Sequence, residues 1–332
     1  MKILLYLEAE NFLRKSGIGR AIIHQQRALD IAGVAYTTDP HEDFDIAHIN
    51  TYGIKSLMLI FRAKRMGKKV ICHGHSTMED FKNSFVCSNL LAPLVKKYLT
   101  FLYNQADMVI TPTEYSKKLI SSYGIKAPIV AISNGIDLTK YARSTKKEQA
   151  FKQYFKIKDG QKIIMCAALY FKRKGIDDFC KIAEMMPDVR FIWFGETNVW
   201  TIPRWVRHLV KTNHPKNVEF PGYIKGDIYE GAMTASDVFF FPSHEETEGI
   251  VVLEALASDQ NVVARDIPVY DGWLDNSAAT FAKTNSDFVS ALKNVLNGKI
   301  DKRQVGYQVA ESRSIESISS QLVAAYQKLL GE

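Results

Sequence analysis

An α/β fold of two doubly wound domains is the class this sequence predicts, on three observations. The chain has 332 residues, too many for one ordinary domain and enough for two of about 150. Short β-branched and aromatic runs alternate with amphipathic helical stretches throughout, which implies parallel sheets covered by helices. The alternation is interrupted by a charged, Lys-rich stretch at 144–158 and then restarts.

In the first half, the patterns predict strands at 2–7, 46–49, 69–73, 108–112 and 129–132. Helices are expected between them at 19–32, 52–66 and 115–123. In the second half, strands are expected at 162–167, 190–194, 218–220, 238–242 and 261–264, with helices at 176–185 and 249–257. A last amphipathic helix, 314–330, follows the second sheet and is expected to return to the first domain. The expected division is 1–145 and 146–313, two domains facing each other across a cleft, with ligand sites at the carboxyl ends of the strands.

Composition excludes several classes. With 46% hydrophobic and 24% charged residues, the chain is not a disordered one. Its four cysteines, Cys72, Cys87, Cys166 and Cys180, show no CxxC or metal-type spacing, and three lie in or beside apolar runs, as reduced thiols do. The opening MKILLYLEAE has neither the apolar stretch nor the cleavage site of a signal peptide. No apolar run approaches the ~20 residues that cross a bilayer. The expected location is cytoplasmic, or peripheral on the cytoplasmic face of the membrane.

The net charge of +7 is unevenly distributed. Residues 1–150 hold 21 Lys and Arg against 13 Asp and Glu, and the remainder holds 22 against 23. A solvated basic surface is one reading. The other is that the first half faces something anionic, either nucleic acid or lipid headgroups.

The strongest motif is PSHEETEGIVVLEALA at 242–257, which follows an apolar strand and opens a helix. Glu246 stands in the turn and Glu254 on the helix, eight residues later. Gly249 permits close backbone approach, and the amides of Gly249, Ile250 and Val251 sit at a helix N-terminus, where phosphate oxygens are favourable ligands. A carboxylate in the turn suits sugar hydroxyls, and one on the helix suits a ribose diol. An acidic first turn would also complement the helix dipole, but that needs no Glu at the second position. Lys172-Arg173-Lys174, before Gly175, reads either as a solvated charge run or as a pyrophosphate clamp. Gly17-x-Gly19 alone is weak. A dinucleotide-binding turn should follow its strand tightly, whereas residues 8–16 intervene here and Ile22 replaces the third glycine. Asp43-Phe44-Asp45 has D-x-D spelling but leads into a strand, so no metal site is expected.

The 242–257 block resembles the E-x7-E signature of the retaining GT-B glycosyltransferases of family 4. The resemblance recurs in order along the chain. SGIGR at 16–20 is similar to the family's glycine-rich segment, HGHS at 73–76 to its catalytic-site histidine segment, and TPTEYS at 111–116 to “TPS”. SNGID at 133–137 and KGID at 174–177 match “NGID” and “KGID”. One departure stands out: the family carries an Arg about five residues before the Lys of its KG pair, and this chain has Leu169 there. Thr247 and Glu248 also replace the family's small or aromatic residues.

The resemblance implies a UDP-glucose or UDP-galactose donor held mainly by the second domain, with no cofactor and no metal. Glu254 would hold the ribose and Glu246 the hexose, while Glu248 would either touch a donor hydroxyl or face solvent. Gly17 and Gly19 would approach the donor. Lys174, with Arg173, would neutralise the leaving diphosphate, a kind of stabilisation that is usually the largest catalytic contribution. His75 would position the sugar or its transition state. Domain closure would exclude water. The product would keep the α configuration.

For the acceptor, residues 81–103 combine aromatics, leucines and the Lys96-Lys97 pair, and Arg62 and Arg65 belong to a second basic cluster. A core helix with a basic outer face and a membrane-interface helix both fit. LLYLEAEN, RKSGIGRAI and HQQRAL are similar to Gram-positive diglycosyl-diacylglycerol synthases. That implies monoglucosyldiacylglycerol as acceptor, an anionic membrane surface as partner and no specific nucleic acid. A soluble or polysaccharide acceptor, and a non-catalytic sugar-nucleotide-binding protein, are the alternatives.

Overall fold

The computed structural model describes residues 1–13 and 16–331. Arg14 and Lys15, within the RKSGIGRAI stretch, lie outside the described residues. The chain forms two compact units, one of residues 1–81, 90–136 and the stretch from 313 onward, the other of 82–89 and 137–312.

The first unit contains β1 (Lys2–Tyr6), α1 (Glu10–Leu13), α2 (Gly17–Ile31), β2 (Ala35–Thr37), β3 (Ile46–Ile49), α3 (Ile54–Arg65), β4 (Lys69–His73) and α4 (Met78–Phe81). It continues with α5 (Ser88–Tyr103), whose first two residues belong to the second unit, then β5 (Met108–Thr111), α6 (Glu114–Ser121) and β6 (Ile129–Ala131). Its six strands pair in parallel in the order β2-β1-β3-β4-β5-β6. The two-residue side-chain period divides each strand between two cores. Ile3 and Leu5 point to a cluster with Ile22 and Leu29 of α2, whereas Leu4 points to one with Leu59 and Ile60 of α3 and Leu99 of α5.

The second unit contains α7 (Thr145–Tyr154), β7 (Ile163–Ala167), α8 (Ile176–Glu184), β8 (Arg190–Phe194), α9 (Arg204–Lys211), β9 (Val218–Gly222) and α10 (Asp227–Ala235). There follow β10 (Val238–Phe241), α11 (Ile250–Ala257), β11 (Val262–Arg265), β12 (Thr280–Ala282), α12 (Asn285–Leu296) and α13 (Arg303–Ser312). Its parallel sheet runs β12-β11-β10-β7-β8-β9. The wholly buried β10 supplies aromatic packing on one face: the Phe240 ring stacks on Phe179 of α8 and meets Phe288 of α12 edge-on.

The Lys-rich stretch is not a linker. It is α7, a helix of the second unit that packs on α10. Phe151 is fully buried, and the half-buried Lys147 reaches Glu230 of α10 at 2.6 Å. The Arg143 guanidinium donates to the Thr234 carbonyl at 2.7 Å, so residues before α7 are tied to the same unit. The two compact units part at 136/137 along the chain.

The final helix, α14 (Ile315–Leu330), packs on α2 and buries Ile315, Ile318, Leu322 and Tyr326 in the first unit. Ser319 Oγ donates to the Ala28 carbonyl at 2.6 Å. Gly135 adopts φ +75, which favours glycine, and a Cβ there would approach Ile318 Cδ1 to 2.7 Å, so glycine lets the SNGID segment pack under this helix without displacing that side chain.

Strand order reverses between β1 and β3 in the first sheet and between β7 and β10 in the second. At such points the loops leaving the carboxyl ends diverge and open a crevice. Leu322→Ala is expected to destabilise the first unit by about 2–5 kcal/mol through loss of buried contacts. Urea unfolding checks this, and a shift below about 0.5 kcal/mol would show that α14 contributes no core.

Candidate active site

The reversal in the second sheet brings two loops together. The one after β7 carries a 3-10 turn, Lys172–Lys174, ended by Gly175, and the one after β10 carries residues 242–249. Gly175 has φ +75, and a Cβ there would lie 2.3 Å from the Pro242 carbonyl oxygen. No other residue permits that approach.

Lys174 and Glu246 form an ion pair across this junction, with side chains only 13% and 7% exposed. Ser243 Oγ donates to the same Glu246 Oε1 at 2.7 Å. Arg173 is buried and faces differently: its Nε donates to Ser84 Oγ at 2.7 Å and its Nη1 to the Glu245 carbonyl at 3.1 Å. Arg173 thus braces the 82–89 segment and the 242–246 turn, while Lys172 is exposed. Leu169, in the position of the family arginine, is half-buried.

Gly249 takes the left-handed conformation at the start of α11 and, as a glycine, supplies no side-chain cap to the first-turn amides of Ile250 and Val251. Glu254 lies one turn further along the same helix, fully buried, and accepts the Tyr229 hydroxyl at 2.7 Å. Glu248 is buried as well. Glu246, Lys174, Gly249 and Glu254 therefore stand in one unit, on the loop after β7, the loop after β10 and the helix it opens. Behind them, Asp178 of α8 accepts from Arg265 at 2.6 Å and pairs with His244 at 2.9 Å. Burial pushes the Asp178 carboxyl up, but the His244 hydrogen bond and the Arg265 charge outweigh it and hold it below the usual range.

In the first unit, His75 lies just beyond β4 and is buried. Its Nε2 donates to Asn50 Oδ1 at 3.0 Å. That oxygen also accepts from Gln25 Nε2 at 2.9 Å, and Asn50 returns a bond to Gln25 Oε1 at 3.0 Å. Gln25 also donates to His73 Nδ1 at 3.1 Å, which makes that nitrogen an acceptor. His48 Nε2 then donates to it at 3.0 Å, and His48 Nδ1 accepts the Tyr326 hydroxyl at 2.7 Å. His73 and His75 stack with ring centres 3.9 Å apart. Burial pushes the His48 and His75 imidazoles down to about 3, and burial with two neighbouring rings takes His73 well below its usual value. All three are neutral at neutral pH.

The other sequence candidates have plainer surroundings. Gly17 and Gly19 lie in the first turn of α2, where Ser16 Oγ accepts from the Gly19 amide at 3.4 Å. The TPTEYS segment is a capping box in which Thr113 and Ser116 start α6. Asp45 accepts from the Lys2 amide at 2.7 Å and Asp43 pairs with Lys68 at 2.9 Å. Arg62 and Arg65 line an open groove of about 540 Å³ on α3 with Lys55, Met58 and Phe61. On α5, Lys97 is exposed, whereas the Lys96 ammonium lies over the Tyr123 ring at 4.6 Å. Sequence reasoning did not single out Tyr229, Ser84, Asn50 or His48. Gln25, within HQQRAL, and His73, within HGHS, lie in segments that carry the resemblance.

Two parallel six-stranded α/β sheets, with a Lys–Glu pair at a switch point beside an open helix N-terminus, define a GT-B sugar transferase. The chain belongs to the family 4 glycosyltransferases: the model described as Glycosyltransferase Family 4 matches residues 26–140, and that described as Glycosyl transferases group 1 matches 147–312, half of the chain. It is 44% identical over 335 aligned residues to a processive diacylglycerol alpha-glucosyltransferase of Acholeplasma laidlawii, covering 99% of each protein. An alpha-galactosylglucosyldiacylglycerol synthase of Streptococcus pneumoniae is 26% identical over 68% of this chain and 61% of that protein. Among solved structures, Anabaena Alr3699/HepE in complex with UDP and glucose aligns with TM-score 0.79 at 15% identity, covering 99% of this chain and 100% of that one. Sucrose-phosphate synthase of Thermosynechococcus elongatus aligns at 0.78 and 15%, covering 100% and 99%. These two likenesses establish the fold.

The buried imidazoles generate a pH prediction. Their folded values lie below the unfolded value near 6.5, so the unfolded chain binds more protons between about 3 and 6.5. Stability is complete above pH 6.5 and falls as pH drops through that window, by at most about 1.4 kcal/mol per pH unit for each ring. Urea unfolding at pH 7 and pH 5 measures the slope. His48→Gln, which keeps a polar side chain but does not titrate, should flatten it; an unchanged slope would contradict the assignment.

Proposed function

We propose that this protein is a retaining glycosyltransferase that moves a hexose, with glucose preferred, from its UDP-linked form to a membrane glycolipid. The acceptor is monoglucosyldiacylglycerol and the product an α-linked diglycosyl-diacylglycerol. The observation that carries this reading is the end-to-end 44% identity to a processive diacylglycerol alpha-glucosyltransferase. The geometry of the second unit supports it. Glu254 is assigned the ribose, the α11 amides the diphosphate, Glu246 the hexose hydroxyls, and Glu248 a place beside the hexose.

Lys174 is assigned the charge that grows on the diphosphate as the bond between the sugar C1 and the phosphate oxygen breaks. It takes the part played by a divalent cation in other sugar transferases, so EDTA should leave activity intact. The acceptor oxygen bonds to C1 on the same face, and its proton passes to the departing diphosphate. Arg173 acts by bracing the loops on which Lys174 and Glu246 stand. On the family pattern His75 positions the sugar, and its neutral ring suits a hydrogen-bonding role better than a charged one. Among the described residues no helix is long and apolar enough to cross a membrane. In this reading attachment is peripheral, on the cytoplasmic face. It uses the exposed Leu90, Leu94 and Met58 with Arg62, Arg65 and Lys97 of the first unit.

The test is label transfer from UDP-glucose and UDP-galactose to vesicles containing monoglucosyldiacylglycerol, with and without EDTA. Glu246→Gln and Lys174→Met should each lower kcat by about 10²-fold or more. Glu254→Gln should act mainly on the donor KM. Transfer to a soluble glycan alone would remove the lipid acceptor from this reading, and no transfer with any donor would leave a sugar-nucleotide-binding protein.

A further inference from the structure

The surface assigned so far to the membrane lies on the first unit, yet the second unit carries an aromatic and basic patch of its own. Trp200 is 77% exposed and Trp205, on α9, is 43% exposed. Val86, on the 82–89 segment of the same unit, is 51% exposed, and its amide donates to the Thr201 carbonyl at 3.0 Å. That bond sets Val86 at Thr201, next in the chain to Trp200, while the partly exposed Phe85 packs edge-on against Phe171. Large apolar side chains left together in water mark an interaction surface.

The charge around them identifies the partner. Residues 197–218 contain Arg204, Arg207, Lys211 and Lys216 and not one Asp or Glu. The Arg207 guanidinium lies 4.7 Å from the centre of the Trp200 ring, stacking a cation on the most exposed indole. Val206 is the buried anchor of α9, while Arg204, Trp205, His208 and Lys211 face outward. Trp205 on α9 and Trp200 just before it, beside arginines in a segment that itself carries no acid, match the headgroup boundary of an anionic bilayer.

We propose that this patch is a second lipid-contacting surface, with Trp200 and Trp205 entering the headgroup boundary and Arg204 and Arg207 meeting anionic headgroups. The inference rests on the membrane-acceptor reading and extends it to the unit assigned to the soluble donor. It explains why the positive excess of the first unit is not the whole of the membrane chemistry. The second half is nearly balanced overall, but four of its 22 basic residues fall in the 197–218 segment that carries the two indoles.

The tryptophans themselves report the answer. Of the four in the chain, Trp193 is fully buried and Trp273 is half-buried with its Nε1 bonded to the Val269 carbonyl at 2.7 Å. Emission changes on vesicle binding will therefore come mainly from Trp200 and Trp205. The full chain is mixed with phosphatidylglycerol vesicles, with phosphatidylcholine vesicles, and with phosphatidylglycerol vesicles brominated high on the acyl chain. Expected are a blue shift and bromine quenching with the anionic lipid, weak or absent with the neutral one. Replacing Trp200 and Trp205 together by Phe should retain binding but abolish the optical change, and replacing both by Ser should weaken co-sedimentation. Arg204→Gln and Arg207→Gln should each weaken it about fivefold at low salt. Thermal melting confirms that each variant is folded.

Co-sedimentation of the wild-type chain with no change in emission would overturn the second surface and leave the membrane-acceptor reading standing. A blue shift that follows protein concentration without lipid would assign the patch to a second copy of the chain and overturn the proposal. Absence of vesicle binding, together with transfer to soluble acceptors only, would remove both readings.

Discussion

The second unit is organised around one desolvated ion pair, Lys174 with Glu246, at the point where its sheet changes direction. Neither partner comes from an α-helix or a strand. Each stands on a loop whose position is set by something less negotiable: the glycine at 175 against the Pro242 carbonyl, and the buried strand β10 below it. Removing one member of such a pair leaves a buried charge, a loss of about 3–5 kcal/mol. The same property makes the pair chemically useful, because a cation kept out of water acts strongly on any anion brought to it. Ser243 and Arg173 hold the two loops so that the charges remain where they are when no substrate supplies compensation.

The first unit follows a different electrostatic logic. Three imidazoles, two amides and a phenol are packed into one hydrogen-bonded chain, and burial keeps the imidazoles uncharged. A neutral network tolerates burial that an ionic one would not, provided its donors and acceptors match. Matching here reaches from the C-terminal helix to the residue after β4: Tyr326 orients His48, His48 orients His73, and Gln25 links His73 to Asn50 and so to His75. The return of α14 to the first unit is thus more than a cap on a hydrophobic face. Its tyrosine sets the tautomers at one end of a network whose other end is the family's site histidine.

Much of this was legible in the sequence, and the omissions have physical causes. Buried parallel strands such as VFFF at 238–241 and IIMCA at 163–167 are continuous apolar runs and read directly. The edge strands β2 and β12 have three residues each and left no pattern to read. The helix α7 was concealed by its lysines, since a single buried Phe151 is enough to fix it. At the site, the E-x7-E spacing located Glu246 and Glu254 because both lie on one continuous loop and helix. Arg173 looked equal to Lys174 in the string, and only coordinates separate the arginine that braces loops from the lysine that meets Glu246. His48 and Asn50 had no motif, because their partners lie far away in the chain.

Donor and acceptor pose opposite physical problems, and the chain treats them oppositely. A soluble, charged sugar nucleotide has to be drawn from water, which calls for a preformed crevice with buried charges, as at 174 and 246. A glycolipid is already concentrated in a plane, so its affinity can come from attachment to that plane rather than from a deep pocket. The open groove beside Arg62 and Arg65 and the exposed apolar residues of α5 fit that second strategy. Each weak surface adds to the others, because one basic or aromatic contact alone gives only marginal residence at a bilayer. That additivity is why a tryptophan pair on the second unit carries meaning under the proposed function: a surface contact unnecessary for holding a nucleotide becomes useful once the enzyme has to remain on its acceptor's membrane.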